Sequence, residues 1–266
     1  MENKTILITG STDGIGKETA KKLAEKGAQI IIHGRNEDKI YETLQEIKKI
    51  NNNVFAVQAD FSDLNQVKTA AKDISDNFEK IDILFNNAAE FVHEKEITKD
   101  GLERQFQVNY LAHFLLTEKL MPLIKDTDNS KILNISSMIH ASAIDFDNLQ
   151  GEKNYSGSGQ YALTKLLNIL HTYKLARKHE QDKVKINCLH PGVIETKLLN
   201  AAWSGGMPVS EGAENLLYAA ESEVTSNMSG LYLENRRPMQ SNPVSYDTEI
   251  QDKLYDLSLK MTEKFL

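Results

Sequence analysis

Short apolar, β-branched runs alternate along this chain with longer segments of helical periodicity. The strand candidates are Thr5–Thr9, Ala28–His33, Val54–Gln58, Ile81–Asn86, Lys131–Ser136, Val184–Leu189 and Gly230–Leu233. Most are nearly continuous in apolar residues, as strands buried on both faces must be. The helix candidates are Lys17–Lys26, Glu37–Lys49, Asp63–Phe78, Gly101–Ile124, Gln160–Glu180, Glu211–Glu221 and Tyr246–Glu263. Ser62 and Asn36 stand where a side-chain oxygen can cap the free amides of the helix that follows. Alternation of this kind leaves few options, because βαβ units with right-handed crossovers build a parallel sheet with helices on both faces. The expected fold is α/β, a doubly wound Rossmann-type parallel sheet of about seven strands.

The 266 residues suffice for one self-contained core, and no repeat, Pro-rich linker or composition break divides them, so one domain over 1–266 is expected. The formal charge of −7 argues against a protein whose main partner is nucleic-acid phosphate. No run approaches the roughly 18 to 20 apolar residues of a membrane-spanning helix. Met1–Lys4 lead straight into the first strand candidate, which leaves no room for a signal peptide. The single cysteine, Cys188, can form no internal disulfide, and its apolar run suggests a buried thiol. His140, His171, His179 and His190 lack metal-ligand spacing, so no metal site is expected. These features point to the cytoplasm, without membrane insertion.

The first strand ends in Gly10-Ser11-Thr12-Asp13-Gly14-Ile15-Gly16, and a helix follows. Glycines there allow a tight turn and let a pyrophosphate approach the backbone, while the helix amides and dipole hold its charge. An ordinary strand–helix turn would use similar residues; the place of this one, after the first strand and opening the first helix, favours a dinucleotide. Tyr161 and Lys165 lie four apart in a helical stretch and so share one face. A phenol is a poor base at neutral pH, and a nearby ammonium favours the phenolate and lowers its pKa. Such a tyrosine can exchange a proton with an oxygen whose carbon gains or loses a hydride.

The spacing of the glycine turn resembles that of the short-chain dehydrogenase/reductases. Four further motifs follow in order: Asp60, Asn86-Asn87-Ala88-Ala89, Tyr161-x-x-x-Lys165 and Pro191-Gly192, so the resemblance covers nearly the whole chain. Ala89 stands where the family usually has glycine. The resemblance implies that Asp60 and Phe61 contact adenine and that Asn87 and Ala88 lie along the adenosine ribose. It also implies that Pro191, Gly192, Ile194 and Thr196 line the nicotinamide side. Taken alone, Asp60 would read as a helix cap and Asn87 as a turn residue. The family's upstream serine corresponds to Ser137, the second of Ser136-Ser137, and its relay asparagine, which holds a water near the lysine, to Asn109. The gap from Ser137 to Tyr161 exceeds the family's common spacing, which implies an insertion between strand and helix.

That insertion, Asp145–Tyr155, resembles the corresponding segment of the retinol-dehydrogenase-like branch, as do Leu166-Leu167-Asn168-Ile169-Leu170 and His190-Pro191-Gly192. The branch also holds soluble reductases of other carbonyls, so the substrate is expected to be a small, fairly apolar carbonyl or alcohol. The loop regions 139–158 and 203–210 flank the expected site, with Met138, Ile139, Trp203, Met207 and Met239 as candidates either for its lining or for ordinary packing. Phe106, Phe114, Leu167 and Leu170 exceed what one sheet face needs, and family members often pair these two helices with a neighbour's copies. A homodimer or homotetramer is therefore expected.

NADP is expected in preference to NAD. An NAD-preferring enzyme needs an acid after the second strand for the ribose 2′-hydroxyl. Gly34 stands there, followed by Arg35, whose guanidinium suits a phosphate, with Ser11 and Asn36 able to add hydrogen bonds. Against this, Asp13 occupies a turn position where many NADP-preferring relatives are basic, and Glu37 and Asp38 are close. The resulting expectation is an NADP(H)-dependent oxidoreductase using Asn109, Ser137, Tyr161 and Lys165. The alternatives are a catalytically silent dinucleotide-binding sensor or scaffold, and a purely structural interaction protein.

Overall fold

The first strand already shows how the layers form: Ile6 and Ile8 point to one face of the sheet and Leu7 to the other, and all are fully buried. The computed structural model describes residues 1–266. Its strands are β1 (Thr5–Ile8), β2 (Gln29–Gly34), β3 (Val54–Gln58), β4 (Ile83–Asn86), β5 (Lys131–Ile135), β6 (Lys185–Leu189), β7 (Tyr232–Glu234) and β8 (Arg237–Met239). They form one sheet in the order β3-β2-β1-β4-β5-β6-β7-β8. Seven strands run parallel, and β8 returns antiparallel to β7. Connections from β1 run first toward β3 and then, from β4, the other way, so the strand order switches between β1 and β4. In open α/β sheets that switch leaves a crevice at the carboxyl ends of the strands.

The helices are α1 (Gly14–Glu25), α2 (Glu37–Lys48), α3 (Leu64–Asn77), α4 (Arg104–Phe106), α5 (Ala112–Ile124), α6 (Gly157–Lys178), α7 (Lys197–Ala202), α8 (Val209–Glu221), α9 (Glu223–Asn227) and α10 (Thr248–Thr262). On one face Leu23, Ile40, Ile47 and Leu216 from α1, α2 and α8 pack against Ile6, Ile8, Ile30 and Ile32. On the other, α3, α5, α6 and α10 place Val67, Ile74, Phe114, Leu167 and Leu254 over Leu7, Ile31, Leu84 and Ile132.

The structure departs from the sequence expectation at definite points. β8 was not expected: its Arg-Pro-Met is exposed and carries no apolar pattern, and the strand arises because Asn235 and Arg236 (φ 51° and 61°) turn the chain back on β7. The short α7 and α9 were likewise not expected. The helix expected over Gly101–Ile124 starts at Arg104, where the Glu103 carboxylate accepts from the amides of Gln105 and Phe106, and it passes through a π-helical turn at Gln107–Leu111 before α5. Asn36 caps α2 as expected, but α3 is capped by Asp63 and not by Ser62. The apolar residues that suggested helix pairing, Phe106, Phe114, Leu167 and Leu170, are buried within the chain itself. α10 joins this layer: Tyr255 packs on Phe114, and the Tyr110 hydroxyl meets Ser258 Oγ at 2.7 Å.

Candidate active site

The turn after β1 depends on two glycines in the left-handed region, Gly10 (φ 65°) and Gly14 (φ 53°). A Cβ on Gly16 would stand 2.5 Å from Gly10 O and 2.6 Å from Asn87 Nδ2, so the turn admits no side chain there. The end of β4 holds the turn in place. Asn87 Nδ2 donates to Thr9 O (2.8 Å), and Thr9 Oγ1 accepts from the amides of Asn87 and Ala88 (2.8 and 2.9 Å). A cleft of about 1070 Å³ runs from this turn along the carboxyl ends of the strands to α6. At the turn end it is lined by Gly10, Asp13, Gly14, Ile15 and Gly16, and beyond β3 and β4 by Asp60, Phe61, Asn87, Ala88 and Ala89. On the side of β6 it is lined by Pro191, Gly192, Ile194 and Thr196. An open backbone cradle at a helix N-terminus, continuous with a long cleft, fits a dinucleotide.

Arg35 lines the cleft too, and NH1 donates to Glu90 Oε2 (3.1 Å), an acidic partner that nothing in the glycine turn signalled. Arg104 Nε donates to the same carboxylate at 2.5 Å. Asp13 pairs with Lys197 (2.6 Å) and Lys39 (3.2 Å), which hold its carboxyl down at about 2 and offset its charge. Of the two residues expected to add hydrogen bonds to a phosphate, Ser11 is not free to do so and Asn36 lies outside the cleft lining. Ser11 is fully buried; its Oγ donates to Ile8 O and accepts from His33 N, so the hydroxyl is turned into the fold. Asn36 spends its oxygen on the Lys39 amide as the α2 cap and does not line the cleft.

At the other end Ser137, Tyr161 and Lys165 line the same cleft. Ser136 Oγ donates to the Lys165 carbonyl (2.8 Å), whereas Ser137 Oγ accepts only a long bond from Ile139 N (3.4 Å). The second serine is thus the one whose hydroxyl proton is free to be donated. Lys165 Nζ is buried, donates to Ile135 O (3.1 Å) and lies 5.3 Å from the centre of the Tyr161 ring. Burial lowers Lys165 to about 8 and raises the Tyr161 phenol above its ordinary value. The expected lowering of the phenol is therefore not present, because removal from water penalises the phenolate. Asn109 sits behind the cleft in the π-turn, fully buried. Its Oδ1 accepts from Glu90 N (2.8 Å), and Nδ2 donates to Glu90 O (2.9 Å).

A family model described as short chain dehydrogenase matches residues 4–205. The chain belongs to the short-chain dehydrogenase/reductase family. Retinol dehydrogenase 13 of Mus musculus is 34% identical to it over 97% of this chain and 83% of the relative. Polyprenol dehydrogenase of Homo sapiens is 31% identical over 98% of this chain and 85% of the relative. These likenesses place this short-chain dehydrogenase/reductase in the retinol-dehydrogenase-like branch, and it is an oxidoreductase of CH–OH and C=O groups. Among solved structures, an uncharacterised protein from Mycobacterium Paratuberculosis superposes with a TM-score of 0.83 at 27% identity, covering 98% of this chain and 94% of that one. A short chain dehydrogenase from Burkholderia cenocepacia in complex with NADP gives 0.72 at 23% identity, covering 87% and 96%.

At the Tyr161 end of the cleft of this dehydrogenase/reductase, Phe91 and Trp203 flank Tyr161, with ring centres 6.1 and 5.9 Å away and 5.4 Å from each other. Of the residues left open between lining and ordinary packing, Trp203, Met138 and Ile139 line the cleft. Met207 and Met239 do not: Met207 pairs with Ile194 through the backbone, and Met239 lies on β8. Phe91 belongs to no motif, and its only sequence signal is an aromatic residue soon after Asn86-Asn87-Ala88-Ala89. Cys188 is buried as expected. No helix is long and apolar enough to cross a membrane.

Proposed function

We propose that this protein is an NADP(H)-dependent carbonyl reductase or alcohol dehydrogenase in which Tyr161 exchanges the proton with the substrate oxygen. The observation that carries the reading is the single cleft that joins the glycine turn to Ser137, Tyr161 and Lys165. When bound, the nicotinamide gives or takes the hydride at the substrate carbon. The protein does the rest. Gly10, Gly14, Ile15 and Gly16 offer backbone to the pyrophosphate, and Asp60, Phe61, Asn87, Ala88 and Ala89 bound the adenosine half. Pro191, Gly192, Ile194 and Thr196 would hold the nicotinamide half, and Arg35 would supply a cation for the ribose 2′-phosphate. Ser137 donates a hydrogen bond to the carbonyl oxygen, which places developing negative charge beside Tyr161 Oη. In reduction Tyr161 gives its proton to that oxygen, and Lys165 supports the phenolate left behind. Asn109 braces the π-turn behind the lysine.

The reading takes residues 1–266 as one cofactor-binding domain. The part beyond the matched region supplies β7, β8 and α10, which complete the sheet and the layer over α5 and α6. Phe91 and Trp203 make the substrate side apolar beside the reacting group, which suits a fairly apolar carbonyl or alcohol.

The test is turnover of a panel of aldehydes and ketones, followed by NADPH absorbance, in wild type and Tyr161→Phe. The variant is expected to bind NADPH and lose roughly 100- to 10,000-fold in kcat. Retention of most activity would remove Tyr161 from its role. A wild type that binds NADPH yet reduces nothing on the panel would favour the silent sensor instead.

A further inference from the structure

We propose that Asn168 is a positioning residue for the Tyr161–Lys165 pair, fixing the backbone carbonyl on which the lysine rests. The proposal rests on the functional reading above. Tyr161, Lys165 and Asn168 lie four and then three residues apart on α6 and form one stripe along the helix. The Asn168 side chain is buried, and Nδ2 donates to Ile135 O (3.1 Å) and Asn109 O (3.2 Å). Ile135 O is also the acceptor of Lys165 Nζ, at 3.1 Å. Ile135 ends β5, directly before Ser136 and Ser137, and Asn109 lies in the π-turn. One amide therefore ties together two carbonyls from different elements around the lysine.

The chemistry of the side chain matters. Two carbonyl oxygens held this close need a donor between them, and a carboxylate would repel both. An ammonium or guanidinium would satisfy them but repel Lys165, whose charge already carries the cost of burial. A neutral amide satisfies both carbonyls without adding charge. It also leaves Ile135 O, which has two lone pairs, able to accept from the lysine as well. Asn109 O accepts in addition from His113 Nδ1 (3.3 Å), whose other nitrogen meets Thr9 Oγ1 (2.9 Å), so the bracing continues to the end of β1.

Loss of the amide leaves Ile135 O free to turn away, and the Lys165 ammonium loses a fixed acceptor beside Tyr161. The other titratable groups facing the lysine are His113, from α5, and His190, which follows β6. Burial holds them down at about 3 and about 4, so both are neutral near pH 7. The effect of Asn168 is therefore read on Tyr161 and Lys165 alone.

The test is the ionisation of Tyr161, measured as the near-ultraviolet phenolate signal of the full chain minus that of Tyr161→Phe. It is recorded with and without saturating NADP⁺, in the native, Asn168→Ala and Asn168→Ser backgrounds. Asn168→Ala is expected to move the ionisation upward by roughly half to one pH unit, a three- to tenfold change in its constant. Asn168→Ser keeps one donor and is expected to fall between. A merely structural asparagine would lower the melting temperature and leave the ionisation where it is, and that result overturns the proposal. If the alanine variant does not fold, the serine variant decides: a shifted ionisation supports the proposal and an unmoved one overturns it. The measurement needs no turnover, so a protein that reduces no carbonyl would remove the functional reading while the role of Asn168 remains measurable.

Discussion

A Cβ added to Gly34 would stand 2.6 Å from Thr12 Cγ2, so Thr12 fills the space that an acidic side chain after β2 would need. The neighbouring Arg35 reaches the cleft instead, and the nearby Asp13 is paired with two lysines. Under the NADP(H) reading proposed above, selection against NAD would rest on a packed methyl group as well as on a cation.

Arg35→Ala is expected to lower the preference for NADPH over NADH. A charge-assisted contact contributes on the order of 1.5–3 kcal/mol. Arg35 is more than half exposed and already shares Glu90, so the low end applies, roughly a tenfold change in the ratio of kcat/KM values. Equal use of both cofactors by the wild type, or an unchanged ratio in the variant, would remove Arg35 from this role.

Gly16→Ala places a methyl group against Gly10 O and Asn87 Nδ2, both of which hold the turn. The expected outcome is a folded protein of lower melting temperature that no longer gains stability when NADPH is added. A thermal-shift titration decides it, and a normal NADPH-induced shift would mean that the turn is not the cofactor cradle.

Acid is expected to destabilise the fold through its buried histidines. Burial lowers His33 and His190 to about 4, and His113 and His171 to about 3. The unfolded chain takes up these protons near 6.5, so stability falls as pH drops below that value and continues to fall until the folded values are reached. For His171 the loss at pH 5 is about 2 kcal/mol. Its ring packs on Phe114 and Tyr110, and Nε2 has no partner. His171→Phe should therefore lose less stability between pH 7 and pH 5 in denaturant titrations; an equal loss would contradict this origin.

Light scattering at micromolar concentration is expected to give a monomer. The apolar residues of α5 and α6 that suggested pairing are buried, and α10 lies over them, held by Tyr255 on Phe114 and by Asp252 with Lys174 and Arg177. A dimer of native, active protein would show that another surface associates.

The seven parallel strands, the glycine turn and the Tyr161–Lys165 face were legible in the sequence because each rests on local rules: buried strands are continuously apolar, tight turns need glycine, and helix neighbours lie three or four apart. Resemblance pointed to Ser137 over Ser136, and only the structure shows that Ser136 donates its hydroxyl to the Lys165 carbonyl. What escaped the sequence depends on contacts between distant segments. Glu90 meets Arg35 across the cleft, Phe91 meets Trp203 over Tyr161, and Ser11 turns inward because His33 is beside it. The direction of the Tyr161 shift was also decided in three dimensions, because desolvation depends on how completely the surrounding elements close over the ring, and no spacing along the chain reports that.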